Sequence, residues 1–224
     1  MDIPLGGWRM RAAGGFTGRA NSTLTLGNPG MPIADALVRT VEFAHAHGIG
    51  PCAHVVVGSP AEAGIEAAGW HVDETHPGGA ESLVMTGPLS PGEFPGAVVN
   101  ATPSSEWWEL TAGSTTPSDA QRHVLSSYPC VGYGVVSYDE AVVGAVRGAV
   151  IGDLLHVSRL AVRPSHRRLG LAGGLLRVLY AWAVARGAQR QALQVATGNT
   201  AAIELYKRLG CAEHHRYRYW VPAA

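Results

Sequence analysis

The sequence has little cysteine, and its cysteines do not occur in pairs. Cys52, Cys130 and Cys211 lie far apart, and no CxxC motif is present. This pattern predicts neither a zinc site nor a disulfide framework, so we expect no bound metal. A reducing, cytoplasmic environment fits such cysteine usage best.

Net charge is also absent, because 17 basic residues balance 17 acidic ones. A balanced charge creates no general attraction to nucleic acid or to an anionic membrane, so we expect neither as a partner. No apolar run approaches the roughly 20 residues that a membrane span needs, and the first residues lack the apolar core of a signal peptide. A nucleophile-elbow motif and a P-loop lysine are missing as well.

What is present is an alternation of apolar strands and amphipathic helices. Helices are predicted over residues 33–47, 61–68, 118–127, 170–186 and 200–209. Strands are predicted over residues 52–57, 82–86, 131–138, 141–150, 154–162, 192–196 and 214–221, and AVVN and WWEL also resemble strand material. The three consecutive strands between 131 and 162 have connections short enough for hairpins, which indicates an antiparallel meander.

The order helix, apolar strand, short helix and strand occurs twice. Gly48 matches Gly187 and Gly69 matches Gly210, with a separation of about 140 residues in both cases, as expected of an internal duplication. A chance likeness between two helix–strand units is the alternative. The Pro/Gly-rich stretch Gly87–Gly96 is the best linker. We therefore predict an α/β protein with domains at 1–90 and 97–224.

The most informative stretch is LLHVSRLAVRPSHRRLGLAGG, residues 154–174. It predicts a buried strand, a basic turn containing glycine, and the start of a helix. The first amides of a helix have no intrahelical partner, and the helix dipole favours anions there, so the stretch suits a phosphate-bearing ligand. A basic first turn on a surface helix is the structural alternative.

The wider context resembles the GNAT superfamily of acyl-CoA-dependent N-acyltransferases. The resemblance is carried by the strand LAVRP, the loop HRRLGLAGGLL, the strand LQV and the segment GNTAAIELYKRLG. It implies two tandem GNAT-like domains, each with a mixed, mostly antiparallel sheet flanked by helices. It also implies acetyl-CoA as the cofactor, with the pantetheine arm paired to the strand and the pyrophosphate on the loop amides. The cofactor-binding residues implied in this way are Leu160, Ala161, Val162, Arg167, Arg168, Leu169, Gly170, Leu171, Ala172, Gly173 and Asn199.

The same resemblance implies that Tyr206 protonates the departing thiolate. A general base is expected on the strand, and we assign it to His156, acting directly or through a water held by Ser158. Strict alternation would place His156, Ser158, Leu160 and Val162 on one face. Two structural alternatives stay open: Tyr206 as a packing aromatic and His156 as a residue that merely fills the strand. Glu109 and Glu140 are reserve candidates for the base.

The expected function is transfer of an acetyl group to a primary amine of a small molecule or peptide. Two alternatives are a non-catalytic acyl-CoA sensor or scaffold and a peptide or ribosomal-protein N-terminal acetyltransferase. The protein could form a homodimer with any of these functions.

The first half has a glycine-rich turn but lacks the arginines, and Pro29 and Pro32 remove amide donors. With Gly58 or Ser59 opposite Asn199, and about Ile65 opposite Tyr206, this half resembles a degenerate GNAT domain.

Overall fold

A computed structural model describes residues 1–223 and divides the chain into two compact units. The first unit comprises Met1–Val84, Val195–Asn199 and the chain from His214 onward; the second comprises Met85–Gln194 and Thr200–Glu213. The α/β class, with a mixed sheet flanked by helices, is confirmed. A single cut between the expected domains does not produce these units, because the end of the chain contributes a strand to the first one.

The first unit is built on a small mixed sheet. Its elements are β1 (Asp2–Leu5), β2 (Trp8–Arg11), β3 (Thr23–Leu24), α1 (Ile33–Ala46), β4 (Ala53–Val56), α2 (Pro60–Ala67) and β5 (Trp70–Val72), with parts of β6 (Glu81–Pro88) and β12 (Ala212–Pro222). The strand order is β1-β2-β3-β4-β12, and β5 pairs with β12. Only the β3–β4 pair among these is parallel.

One face of this sheet packs against helices α1 and α2 around a tryptophan-rich core. Trp8, Ile65, Trp70 and Trp220 are buried there together with small residues of α1 and β4. The opposite face is polar. On it the Arg11 guanidinium donates to Ser22 Oγ at 3.1 Å and lies 3.3 Å from His54 Nδ1.

The His54 ring is enclosed on that face by aromatic neighbours. Its centroid lies 4.0 Å from the ring of Tyr217 and 5.4 Å from that of Tyr219. Burial, reinforced by the charges of Arg11 and Arg19, lowers the pKa of His54 from 6.5 to about 3. An arginine N–H directed at Nδ1 requires that nitrogen to accept, so the ring is neutral in the folded protein.

The neutral His54 ring predicts a pH-dependent stability. The unfolded chain binds a proton here near pH 6.5 and the folded chain only near 3, so this contribution is intact above 6.5 and is lost as the pH falls toward 3. We expect the loss to be on the order of 5 kcal/mol at most. Urea unfolding at several pH values should show a shallower acid slope for His54→Phe. The exposed His71→Gln is the control; equal slopes for wild type and His54→Phe would refute the assignment.

The second unit contains the predicted meander. Its elements are β7 (Ala97–Asn100), α3 (Ser105–Ala112), α4 (Asp119–Ser126), β8 (Val131–Tyr138), β9 (Ala141–Ile151), β10 (Leu154–Val162), α5 (Leu171–Val184), most of β11 (Arg190–Ala196) and α6 (Thr200–Arg208). The strand order is β11-β10-β9-β8-β7, in which only β10 and β11 are parallel. Helix α5 covers one face, while α3 packs on β9 and β10.

One strand prediction is wrong, because WWEL lies inside helix α3. Ser104 Oγ accepts the amide of Trp107 at 3.2 Å, and Gly113 ends the helix in the left-handed conformation. These end signals outweigh the strand preference of the two tryptophans. Trp107 is fully buried and donates from Nε1 to the carbonyl of Val146, so it belongs to the core.

The predicted linker Gly87–Gly96 is packed rather than free. The Phe94 ring lies directly against Gly174 of α5, where any side chain would collide with it. The amide of Gly92 donates to the carbonyl of Arg177 at 3.2 Å. Among residues 1–223, no helix combines the length and apolarity needed to span a membrane.

Candidate active site

Strands β10 and β11 run side by side for only part of their length. Their parallel register covers Leu154–Val157 against Arg190–Leu193 and ends there, although β10 continues to Val162. On its other side β10 stays paired with β9 as far as Val162. On the side away from β9, residues 158–162 are therefore outside the register with β11. Their backbone groups on that side are offered to a ligand.

A β-bulge interrupts β10 at the centre of this segment. Ser158 pairs with Arg147 and Ala161 pairs with Ala145, so two residues of β10 stand opposite one residue of β9. Arg159, in the bulge, has a left-handed φ of 58°, and its guanidinium donates to the carbonyl of Thr111 at 3.3 Å.

The bulge corrects the predicted face of the strand. His156 and Ser158 do share a face, but the extra residue brings Ala161 onto it and turns Val162 to the opposite face. Leu160 is one of the two residues inside the bulge. The predicted alignment of His156, Ser158, Leu160 and Val162 is therefore wrong, although the pairing of His156 with Ser158 survives.

The basic turn after β10 leads into the bare N-terminus of helix α5. Gly170 precedes Leu171 with a left-handed φ of 75°, and no side chain caps the helix. A side chain placed on Gly170 would meet nothing within 4 Å. The first-turn amides, including those of Ala172 and Gly173, have no intrahelical acceptor and therefore suit an anion.

The arginines of the turn are exposed, and one is partly engaged. The amide of Arg167 donates to the carbonyl of Pro164 at 3.4 Å, and its Nε donates to the carbonyl of Val162 at 3.3 Å. Arg168 has a left-handed φ of 64°, and both Arg168 and Leu169 are exposed. The amides suited to an anion therefore begin after Arg167.

Two polar side chains lie on the strand face beside this segment. His156 Nε2 donates to Gln194 Oε1 at 2.9 Å, and this contact fixes the orientation of the ring. Ser158 Oγ is fully enclosed and has no hydrogen-bond partner among the described residues. An orphaned buried hydroxyl next to an unpaired strand edge is the kind of group that a bound acyl-CoA or acceptor would satisfy. The residues present therefore fit the cofactor that the motif implies.

The predicted acid, Tyr206, lies on the buried face of helix α6. Its side chain is 6% exposed, and burial, with a further contribution from Cys211, raises the pKa of the phenol to about 12. The phenol therefore stays protonated at neutral pH. Asn199 immediately precedes α6 and is exposed. Its backbone N–H donates to the carbonyl of Ala196 at 2.9 Å.

The two reserve bases are differently placed. Glu109 pairs with Arg163 at 3.0 Å near the surface, and Glu140 lies with Asp139 in the exposed turn between β8 and β9. Sequence reasoning did not single out Gln194, which contacts His156, or Arg147, which stands opposite Ser158. Only the register of β10 against its two neighbours reveals them, and that register depends on the bulge.

Comparison with known proteins identifies the family. The family model described as "Probable histone acetyltransferase Rv0428c C-terminal" matches residues 3–220. The chain belongs to this family. It is a GNAT-superfamily N-acetyltransferase, and hence an acyltransferase enzyme, as the sequence motifs predicted.

Relatives of this GNAT protein match it over most of its length. The uncharacterized N-acetyltransferase YobR of Bacillus subtilis (strain 168) is 28% identical over 222 residues, which cover 94% of this chain and 89% of YobR. A GCN5-related N-acetyltransferase from Kribbella flavida superposes with a TM-score of 0.72 at 16% identity, covering 100% of this chain and 90% of its own. A tandem GNAT protein from the clavulanic acid biosynthesis pathway superposes with a TM-score of 0.60 at 16% identity. The match covers 89% of this chain and 74% of that protein's chain. These structures establish the fold of the GNAT chain.

Proposed function

We propose that the protein transfers an acetyl group from acetyl-CoA to a primary amine by direct attack. The observation that carries this proposal is the strand edge at 158–162, which diverges from β11 beside the bare N-terminus of α5. An extended pantetheine arm needs such an unpaired edge, and a pyrophosphate needs such a helix start. The free cysteines Cys52, Cys130 and Cys211 support a reducing, cytoplasmic location.

The chain's own groups divide the binding between backbone and side chains. The backbone of Leu160 to Val162 would hold the pantetheine arm, the amides of the turn and of Leu171 to Gly173 the pyrophosphate, and Asn199 the arm near α6. Arg167 and Arg168 add mobile positive charge beside the turn. Bound acetyl-CoA supplies an acetyl group activated as a thioester.

Two residues would handle the protons. His156 takes a proton from the attacking ammonium, and Gln194 holds the ring through Nε2. Ser158 Oγ positions either the amine or a bridging water beside it. Tyr206 keeps its proton until a sulfur anion departs, since burial raises the pKa of the phenol to about 12. An acid and a base with these separate roles are what direct acyl transfer to an amine requires.

We also propose that the first half, residues 1–90, is a degenerate GNAT domain without catalysis. Its glycine-rich turn is covered by the β1–β2 hairpin, since the amide of Gly7 donates to the carbonyl of Asn28 at 2.6 Å. Trp8 Nε1 donates to the carbonyl of Gly27 at 3.2 Å, and Pro32 begins α1 without a donor of its own. In this half, the place equivalent to the turn and the start of α5 is thus filled by the chain itself.

The cofactor assignment predicts the effect of a negative charge at the start of α5. Ala172→Glu should weaken acetyl-CoA binding by at least about tenfold, since a carboxylate would repel the pyrophosphate. The same carboxylate in a first helical turn should leave the melting temperature unchanged or slightly higher. Isothermal titration and thermal unfolding provide the two measurements.

The matched control is Ala181→Glu on an exposed site in the same helix. It should bind acetyl-CoA like the wild type. If both variants bind equally well, the helix start is not the phosphate site. Thiol detection of released coenzyme A with a panel of amines tests the reaction itself, and binding without release from any amine would favour a sensor.

A further inference from the structure

Arg147, in the middle of β9, is a buried cation without an acidic partner. The residue is 6% exposed, and its Nε donates to the carbonyl of Leu125 at 2.8 Å. Within residues 1–223 its two terminal nitrogens make no hydrogen bond and no ion pair with another residue. A guanidinium has five N–H donors, and a buried charge is normally paired. Four N–H donors of Arg147 therefore have no protein acceptor within these residues, although their nitrogens are not fully enclosed.

Helix α4 accounts for only one of the contacts that the buried Arg147 guanidinium needs. Leu125 lies in the last turn of α4, whose exposed carbonyls attract a cation. Tyr133 donates its hydroxyl to the same Leu125 oxygen at 3.2 Å, so that carbonyl is already shared. Burial lowers the pKa of Arg147, yet a guanidinium remains charged at any physiological pH.

A second unsatisfied group stands directly across from Arg147. Ser158 is its partner in the β9–β10 register, and directly opposite residues project from the same face with their Cβ atoms about 5 Å apart. The Ser158 hydroxyl is enclosed and lacks a partner among the described residues. On this face of the sheet, a small anionic group would neutralise the buried guanidinium next to the strand that carries the enclosed hydroxyl.

The spacing relates this pair to the reaction. His156 lies on the same face, two residues and about 7 Å along the strand from Ser158. An acceptor whose amine reaches His156 would extend the rest of its structure toward Ser158 and Arg147. A single guanidinium balances one negative charge, and its planar fork matches the two oxygens of a carboxylate.

We propose that Arg147 binds the carboxylate of the acceptor, with Ser158 between it and His156, so that the substrates are amines which also carry a carboxylate, as amino acids do. This inference rests on the proposed acetyltransferase function and assigns its substrate class. Arg147 is then a specificity-determining residue, and His156 acts on the other end of the same molecule.

Matched pairs of acceptors test the substrate class in the wild-type protein. We would measure acetyl-CoA-dependent release of coenzyme A with lysine against cadaverine and with β-alanine against its methyl ester. We expect kcat/KM to be about 10- to 100-fold higher for the carboxylate member of each pair. Arg147→Met should remove that preference by lowering only the carboxylate members. Arg147→Lys, which keeps the charge but loses the fork, should be intermediate.

A binding measurement separates this inference from the proposed reaction. Titration of N-acetyl-β-alanine and of its methyl ester into the protein saturated with coenzyme A requires no turnover. Tighter binding of the free acid, lost in Arg147→Met, supports the site even if no amine is acetylated. Equal binding and equal rates for acids and esters in the wild type would overturn it, whether or not the variant folds. A uniform loss for all acceptors in Arg147→Met would mean that Arg147 only anchors α4.

Discussion

Tyr206→Phe is expected to lower kcat by about 10²-fold or more while acetyl-CoA binding stays within about twofold of the wild type. The substitution removes only the phenolic proton, and the ring keeps its packing on the buried face of α6. Because the pKa of Tyr206 is raised to about 12, the wild-type phenol holds its proton at every pH at which the protein works. Loss of kcat without loss of binding is the signature of a group that acts in the transition state.

Tyr180→Phe provides the matched control for Tyr206. Tyr180 of α5 is also a buried tyrosine, but its hydroxyl donates to Oε1 of Gln191 in β11 at 2.9 Å. We expect this control to keep kcat and to lose about 1 kcal/mol of unfolding free energy, measured by urea denaturation. If Tyr206→Phe turns over like the wild type, the departing sulfur obtains its proton elsewhere and the assignment fails.

His156→Ala is expected to lower kcat/KM by about 10²-fold or more and to abolish the acidic limb of the pH–rate profile. A base must be neutral to accept the proton of the attacking ammonium, so the limb reports the protonation of His156. The comparison is made on kcat/KM, because its pH dependence reports the ionisation of the unbound protein and the unbound acceptor. An unchanged rate with an unchanged acidic limb would assign the base to another group.

Gln194→Leu distinguishes the chemistry of His156 from its placement. This variant removes the oxygen that accepts from Nε2 but leaves the imidazole in the strand. We expect a loss of about threefold to tenfold and an acidic limb at a different pH, since the hydrogen bond influences both ring orientation and proton affinity. A displaced limb would not arise from a purely structural role for Gln194.

Much of the fold could be predicted because it follows from local signals. Helices α1 and α5 follow from apolar residues at helical spacing, and the meander β8–β9–β10 follows from three apolar runs with short connections. WWEL is the exception. Its tryptophans favour a strand, but Ser104 before them and Gly113 after them fix a helix.

The site could be predicted only where the backbone alone defines it. The strand, the glycine turn and the helix start are consecutive in sequence, so Gly170 and its neighbours were accessible to inference. The faces of β10 were not, because one extra residue at Arg159 reverses the alternation that follows it. The contacts of Gln194 and Arg147 depend on pairing between strands, which one sequence does not specify.

The strand from the end of the chain also sets the order in which the protein matures. In the first unit, β4 pairs along one edge with β12, from Val56 opposite Tyr217 to Ala53 opposite Trp220. A ribosome makes β4 long before β12, so this edge stays unpaired through most of synthesis. The first half therefore completes its sheet last although it is translated first.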